Sequence, residues 1–579
     1  MQTGNTGFSA SLICSLLAVS ELVKAAAIME GNSAAPEKAI RQSQSLCAGE
    51  QEYVHKRKQI VLEALQNLGA NCTANNVPHI ALLGSGGGQR AAVGLMGTLY
   101  QMEKEGLLDT LLYLGGVSGS TWSMTSLYND PEWSSNMDRA VSRLSGPGVE
   151  LEQVLAWLNE RAKDEDFSLT DIWGALTSAG VMKQMDLRNL SDEADRNASN
   201  PYPIYNAIEK DCFTNGPIEG KWFELSPHEA GFTELGFFIE TSLLGSKFKD
   251  GELLEKKPEM DMVKLQGILV SALAHEDIIR EYIPTWMNVL GHIDDTAEEY
   301  LRVHTVLEKL VALTRSTTKN PTALTDLDTL QNILEVTKAN HTEAMWLEAK
   351  SPEERKSLAK QWSLEMLAAV ETWTQNQQKG GFKTHVFLLI QKILPLIVKW
   401  EWGTTENYLY QHQDPTIPPC LHTKERFHLI DAGMVVNVPY PVFLGDKRDI
   451  DLMIAPEYSA GNMFETLTLA RDYAAEVKKP FPEIDDKILE ERDWPKDCYV
   501  FEGKEKEPTI IFMPFFNRRN CKDAEEVKAK MEEFSTFQRP FSQEKIEFLL
   551  ETAKANVKNN KETLLREINK VVLRRKERL

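Results

Sequence analysis

His79 to Thr125 reads HIALLGSGGGQRAAVGLMGTLYQMEKEGLLDTLLYLGGVSGSTWSMT, and the fold follows from it. The apolar run Ile80–Leu83 predicts a buried strand. It ends in Gly84-Ser85-Gly86-Gly87-Gly88, and Ala91, Ala92, Val93, Leu95, Met96, Leu99 and Tyr100 then give the apolar face of a helix. Leu111–Leu114 predicts a second short strand, which runs into Gly116-Val117-Ser118-Gly119-Ser120. Two glycine-rich strand-to-helix turns in succession predict an α/β sheet with chemistry at the strand ends.

The second turn has the form of a nucleophile elbow. A serine among small residues, after a buried strand and before a helix, can take strained backbone angles that expose its Oγ. The usual G-x-S-x-G ends here in Ser120. The first turn offers what a serine nucleophile needs next: glycine N–H groups at a helix N-terminus, suited to the oxyanion of acyl transfer. Arg90 adds a positive charge in the first turn of that helix. Gly86-x-Gly88-x-x-Ala91 also fits a loose dinucleotide fingerprint, but the acid that motif wants is missing, since Asp109 precedes the next strand. No Gly-Lys-Ser/Thr follows, so the turn is not a P-loop.

The 579 residues can bury a large core. A net charge of −21 argues against general nucleic-acid binding. Seven scattered cysteines, none in C-x-x-C, suit a reduced compartment. No H-E-x-x-H or acidic calcium loop occurs, so neither metal nor cofactor is expected. No segment suits a membrane span. Residues 1–28 read as an amphipathic or disordered leader rather than a secretory signal, and 30–50, rich in Ser, Ala and Gln, as a poorly ordered linker.

Glu52–Leu68 predicts a helix ending near Gly69. Residues 130–200 read as helical, with a capped start at Ser168-Leu169-Thr170-Asp171. Pro201–Tyr205 and Trp222–His228 are extended and aromatic and predict further sheet strands; His228 reads as structural, and Gly245–Gly251 as a turn. Residues 262–400 form a helical insertion, with a good helix start at Ser351-Pro352-Glu353-Glu354. Within it, 386–398 reads equally as a buried core helix or as a lid that touches lipid. Phe427–Ile430 predicts a strand that delivers Asp431-Ala432-Gly433, and strands are expected at 449–454 and 508–514. The tail from Thr552 to Leu579 carries nine Lys/Arg and three Asp/Glu, a net +6. It reads as a solvated terminal helix packed on the domain, or as an electrostatic lipid contact.

If Ser118 is a nucleophile, its base is the question. The order Ser, acid, His would need a histidine after Asp431, yet the last histidine is His428. His412, His422 or His428 with an earlier acid remain open, but none sits in a matching motif. The economical alternative is a Ser118–Asp431 dyad, with the carboxylate as general base.

These residues resemble the cytosolic (group IV) phospholipase A2 family, most closely its gamma-type members, which lack a C2 domain. The resemblance spans about Glu52 to Asn556. It is carried by Gly84–Arg90, Gly116–Trp122, Pro201–Ile204, Trp222–Glu224, Gly245–Phe248, Trp400–Thr404, Asp431–Gly433 and Phe464–Thr466. It implies a patatin-like, three-layer α/β catalytic domain over 51–550, with a mostly parallel central sheet and a helical cap at 262–400, followed by a basic helix at 551–579. It implies Ser118 and Asp431 as catalytic residues, Gly87 and Gly88 as oxyanion hole, and Arg90 as holding substrate phosphate or supporting the site.

The implied reaction is calcium-independent hydrolysis of the sn-2 acyl ester of glycerophospholipids through an acyl-serine. Lysophospholipase and transacylase side activities are implied too. The expected partner is a phospholipid membrane surface, approached from the cytosol. Fewer than 80 residues precede the first expected strand, too few for a C2 sandwich, and the final Arg575-Lys576-Glu577-Arg578-Leu579 is no prenylation box. The alternatives are a catalytically inactive lipid-binding scaffold and a serine esterase acting on soluble esters.

Overall fold

In the computed structural model the chain is described over residues 39–272, 401–536 and 540–578, together with parts of 304–375 and Leu396. The first of the two diagnostic strands, Ile80–Gly84, is wholly buried, as a strand covered on both faces must be. It lies near the middle of a 12-stranded mixed sheet. In chain order the strands of the protein are β1 (Ile40–Gln42), β2 (Ile80–Gly84), β3 (Tyr113–Gly116), β4 (Tyr202–Glu209), β5 (Trp222–Leu225), β6 (Glu229–Phe232), β7 (Phe237–Glu240), β8 (Lys247–Lys249), β9 (Glu252–Glu255), β10 (Thr404–Glu406), β11 (Arg426–Asp431), β12 (Leu452–Glu457), β13 (Tyr499–Phe501) and β14 (Thr509–Pro514). The main sheet runs β1-β7-β6-β5-β4-β3-β2-β12-β14-β13, while β8 and β9 form a separate hairpin. The pairs β12–β14, β12–β2, β2–β3 and β3–β4 are parallel and the other pairings of this sheet are antiparallel, so the sheet is mixed rather than mostly parallel, with its parallel strands grouped around β2 and β3.

One register decides where the site forms. Strand β4 pairs with β3 up to Gly116↔Tyr205. Its other edge is taken by β5 from Tyr205 to Ile208. Past Gly116 the vacated edge of β4 is taken by β11, running antiparallel, with Asp431 opposite Ala207. Ser118 leaves β3 two residues after Gly116. Asp431 therefore arrives beside Ser118 because a second strand continues the pairing that β3 abandons.

The helix after β2 spans Gly88–Lys104, and the helix after β3 spans Gly119–Tyr128. The capped start at Ser168 is present: Ser168 Oγ accepts from Thr170 N, and Ser168 N donates to Asp171 Oδ2 at 2.9 Å. Ser351 and Glu354 form the same reciprocal pair, 3.1 and 3.0 Å, at the start of the helix from Pro352 to Gln375. His228 is structural: its Nδ1 lies 2.8 Å from the Tyr202 hydroxyl, and the two rings stack.

Several expectations are corrected. Residues 40–50 are not a linker: Ile40–Gln42 pairs with β7 at the sheet edge, and the first described helix begins at Ala48. Strand β3 begins at Tyr113, because Leu108–Thr110 forms a 3-10 turn. Gly245–Gly251 contains β8, and only Asp250 and Gly251, both with positive φ, turn the chain into β9. Strand β12 starts at Leu452 rather than at 449.

No boundary falls at 550, since the helix Gln543–Asn559 runs through it and described residues from Ile40 onward belong to one compact unit. The tail helix Lys561–Glu577 packs on that unit through Leu564, Ile568, Val571 and Val572. Its Arg575 and Arg578 pair with Asp449 and Asp451, so part of the +6 is already neutralised. Apart from Leu396, the segment 386–398 lies outside the described residues, as do residues 1–28. No helix among the described residues is long and apolar enough to cross a membrane.

The cysteines also depart from expectation. Cys212 and Cys420 form a disulfide, 208 positions apart in sequence. Spacing gave no hint of it, because the two meet only through the β4–β11 pairing. Cys47, Cys72, Cys498 and Cys521 are free thiols.

Candidate active site

Ser118 has φ 51° and ψ −123°. For a residue with a Cβ this is a strained conformation, costing about 1–3 kcal/mol. The surroundings hold it there. Val117 N donates to Gly84 O at 3.1 Å, Thr121 N to Ser118 O at 2.9 Å, and Asn206 Nδ2 to Gly116 O at 2.9 Å. Asn206 is itself fixed by Trp222 Nε1 at 3.0 Å. The departure from G-x-S-x-G is accommodated as well: Ser120 Oγ donates to Ser85 O at 2.6 Å, in the space left by the missing side chain of Gly84.

The Ser118 hydroxyl donates to Asp431 Oδ2 at 2.6 Å. The other carboxylate oxygen accepts from Gly433 N at 2.8 Å. Asp431 is buried, 1% exposed, and burial pushes its pKa up to about 6, against the two hydrogen bonds that favour the charged form. The carboxylate is thus a stronger base than a solvated one while remaining ionised at neutral pH.

The candidate histidines are elsewhere. His428 faces Asp211, with Nδ1 3.9 Å from the carboxylate. His412 packs on Phe237. His422 ends the short helix Pro419–His422.

Gly87 and Gly88 open the helix Gly88–Lys104, with φ of 141° and 59°. The first N–H groups of a helix have no intrahelical acceptor, so these are available to an oxyanion. They sit against the elbow: a Cβ on Gly119 would lie 2.0 Å from Gly88 O and 2.8 Å from Gly88 N. The turn is tied down by Gly86 N donating to Asn437 O at 2.8 Å, and Asn437 Nδ2 donates to Ser459 Oγ at 2.9 Å.

Arg90 is fully buried. Its Nε donates to Tyr458 O at 2.8 Å, Nη1 to Phe534 O at 2.5 Å and Nη2 toward Thr536 Oγ1 at 3.4 Å. Burial lowers its pKa to about 10, leaving it a cation. The guanidinium fork is thus occupied by groups of the protein.

Ser118, Asp431 and Gly87 open onto a cavity of about 260 Å³, whose wall includes Asn437, Ser459, Leu469 and Thr536. Asn437, Tyr458, Ser459, Phe534 and Thr536 were not singled out as site residues by sequence reasoning. Tyr458-Ser459-Ala460-Gly461 carried a signal, small residues directly after a strand, whereas Phe534 and Thr536 carried none. The groups present, a carboxylate-bound hydroxyl beside free helix N–H groups, suit acyl transfer.

Three comparisons place the chain among known proteins. A family model described as the lysophospholipase catalytic domain matches residues 80–287. Cytosolic phospholipase A2 gamma of Homo sapiens is 31% identical over 537 residues, covering 90% of this chain and 94% of that protein. The Mus musculus protein of the same name is 30% identical over 566 residues, covering 90% and 91%. Among solved structures, human GIVD cytosolic phospholipase A2 shares the fold with a TM-score of 0.63 at 22% identity, over 93% of this chain and 69% of that one.

Proposed function

The chain belongs to the cytosolic phospholipase A2 family and is a hydrolase of that family, and we propose that it cleaves the sn-2 acyl ester of glycerophospholipids through a Ser118–Asp431 dyad, without calcium. The observation that carries this reading is the 2.6 Å hydrogen bond from Ser118 Oγ to Asp431 Oδ2 at the wall of the cavity.

As the hydroxyl attacks the ester carbonyl, its proton passes to Asp431 Oδ2. The oxyanion of the tetrahedral intermediate is held by Gly87 and Gly88 N–H. Asp431 then returns the proton to the glycerol oxygen, the C–O bond breaks, and lysophospholipid leaves an acyl-serine. Water, deprotonated by Asp431, attacks the acyl carbonyl; the bond from that carbon to Ser118 Oγ breaks, Asp431 returns the proton to Ser118 Oγ, and fatty acid is released. A lysolipid hydroxyl can take the place of water, giving transacylation, and the same two steps on a monoacyl lipid give lysophospholipase activity. Arg90 supports the site by tying the oxyanion helix to the loops at Tyr458 and Phe534–Thr536. The activated nucleophile and the oxyanion donors both come from the chain itself, which supports chemistry that needs no calcium ion.

The test is fatty-acid release from sn-2-labelled phosphatidylcholine vesicles, with calcium and with chelator, for the wild type and Ser118→Ala. Equal wild-type rates in both buffers and a dead, folded variant are expected. Loss on chelation would defeat calcium independence. No release from the wild type would favour a lipid-binding scaffold. Preference for dispersed monomeric esters would favour a soluble esterase.

A further inference from the structure

The occupied fork of Arg90 leaves the substrate's phosphate without a partner in the catalytic cavity. No lysine or arginine lines that cavity among the described residues. A larger groove, about 870 Å³, shares Ala460 and Thr536 with it. It runs between the 460–463 loop, Arg492–Asp493 and the helix Ala524–Glu533. Its apolar wall includes Met463, Val527 and Met531. Its charged wall has both signs: Arg492 and Lys528, with Asp493, Glu525 and Glu532. Arg492, Asp493, Glu525 and Lys528 form no ion pair among the described residues.

Resting on the phospholipase reading, we propose that this groove recognises a zwitterionic phospholipid headgroup, with Arg492 and Lys528 holding the phosphate and Asp493 and Glu525 facing the ammonium group. A groove lined by cations alone would favour an anionic lipid; mixed, unpaired charges match a headgroup that carries both. Ala460 and Thr536 line both spaces, so the groove adjoins the catalytic cavity, and a lipid with its ester at Ser118 would direct its headgroup toward the groove. The guanidinium supplies paired donors to phosphate oxygens, and the ammonium a point charge.

The experiment measures kcat/KM on phosphatidylcholine and on a neutral monoacylglycerol for the wild type, the double variant R492Q/K528Q and Glu525→Lys. Labelling of Ser118 by a fluorophosphonate probe reports that each variant is folded. The phosphatidylcholine-to-monoacylglycerol ratio should fall at least ten-fold in R492Q/K528Q. Glu525→Lys should shift preference from phosphatidylcholine toward phosphatidylglycerol. An unchanged ratio, or equal loss on both substrates, would overturn the proposal. A wild type active on monoacylglycerol alone would instead overturn the phospholipase reading on which it rests.

Discussion

Ser118 Oγ and Asp431 Oδ2 are 2.6 Å apart, and the carboxylate of that pair is buried, 1% exposed. Burial pushes its pKa up to about 6. A base must be deprotonated to act, so kcat/KM on phosphatidylcholine should be low at pH 5, rise through pH about 6 and level off by pH 8. A flat profile from pH 5 to 8 would mean that Asp431 is not the titrating base.

The same burial makes Asp431 a cost to the fold. A carboxyl with a folded-state pKa above its unfolded one is tolerated while both states are protonated, and stability is lost as pH rises from about 4 through about 6. The rise from 3.8 to about 6, at 1.36 kcal/mol per pH unit, corresponds to about 3 kcal/mol. Asp431→Asn should abolish fatty-acid release and stabilise the protein by up to about 3 kcal/mol at pH 8, with much less gain at pH 4.5. Denaturant unfolding at both pH values checks this, and an equal gain at both would refute it.

Arg90→Lys keeps the charge but cannot reach Tyr458 O, Phe534 O and Thr536 Oγ1 together. It should lower kcat by about ten-fold or more, with similar losses on phosphatidylcholine and on monoacylglycerol. A loss confined to phosphate-bearing substrates would return Arg90 to the role of phosphate ligand.

Gly119→Ala would place a Cβ 2.0 Å from Gly88 O. The elbow and the oxyanion turn would have to part. We expect kcat to fall about 10²–10³-fold, the scale of losing an oxyanion donor, with KM nearly unchanged. A Gly119→Ala enzyme with normal kcat would show that the turn is not held against the elbow during catalysis.

Arg448 is buried and bridges two buried acids, with Nε 2.9 Å from Glu50 Oε1 and Nη2 2.8 Å from Glu224 Oε1. The pair ties the helix from Ala48 to β5 and to the loop before β12. Removing one partner of a buried network strands the others, so Arg448→Met should destabilise the protein by about 3–5 kcal/mol in denaturant unfolding. A change under about 1 kcal/mol would show that the acids find other partners.

The sequence by itself determined the two strand–turn–helix units, the elbow at Ser118, the glycine turn at Gly87–Gly88 and the candidacy of Asp431. Each is a local pattern: a short apolar run sets a buried strand, small residues permit the strained turn, and helix N–H groups are free wherever a helix starts. The helix caps at Ser168 and Ser351 were legible for the same reason. What a local pattern cannot carry is which distant segments share a sheet edge. That β11 takes the edge of β4 beyond Gly116, and so delivers Asp431 to Ser118 across 313 positions, was decided by tertiary pairing. The same pairing joined Cys212 to Cys420, against the expectation of reduced thiols. Tertiary packing also placed Tyr458, Phe534 and Thr536 around Arg90, turning a charge next to a phosphate-like turn into a buried strut. Ile40–Gln42, polar and linker-like in composition, became a strand because the edge of β7 was open to pair with it. Every non-proline residue offers the same backbone donor and acceptor, so composition alone could not foretell which segment would take an open strand edge.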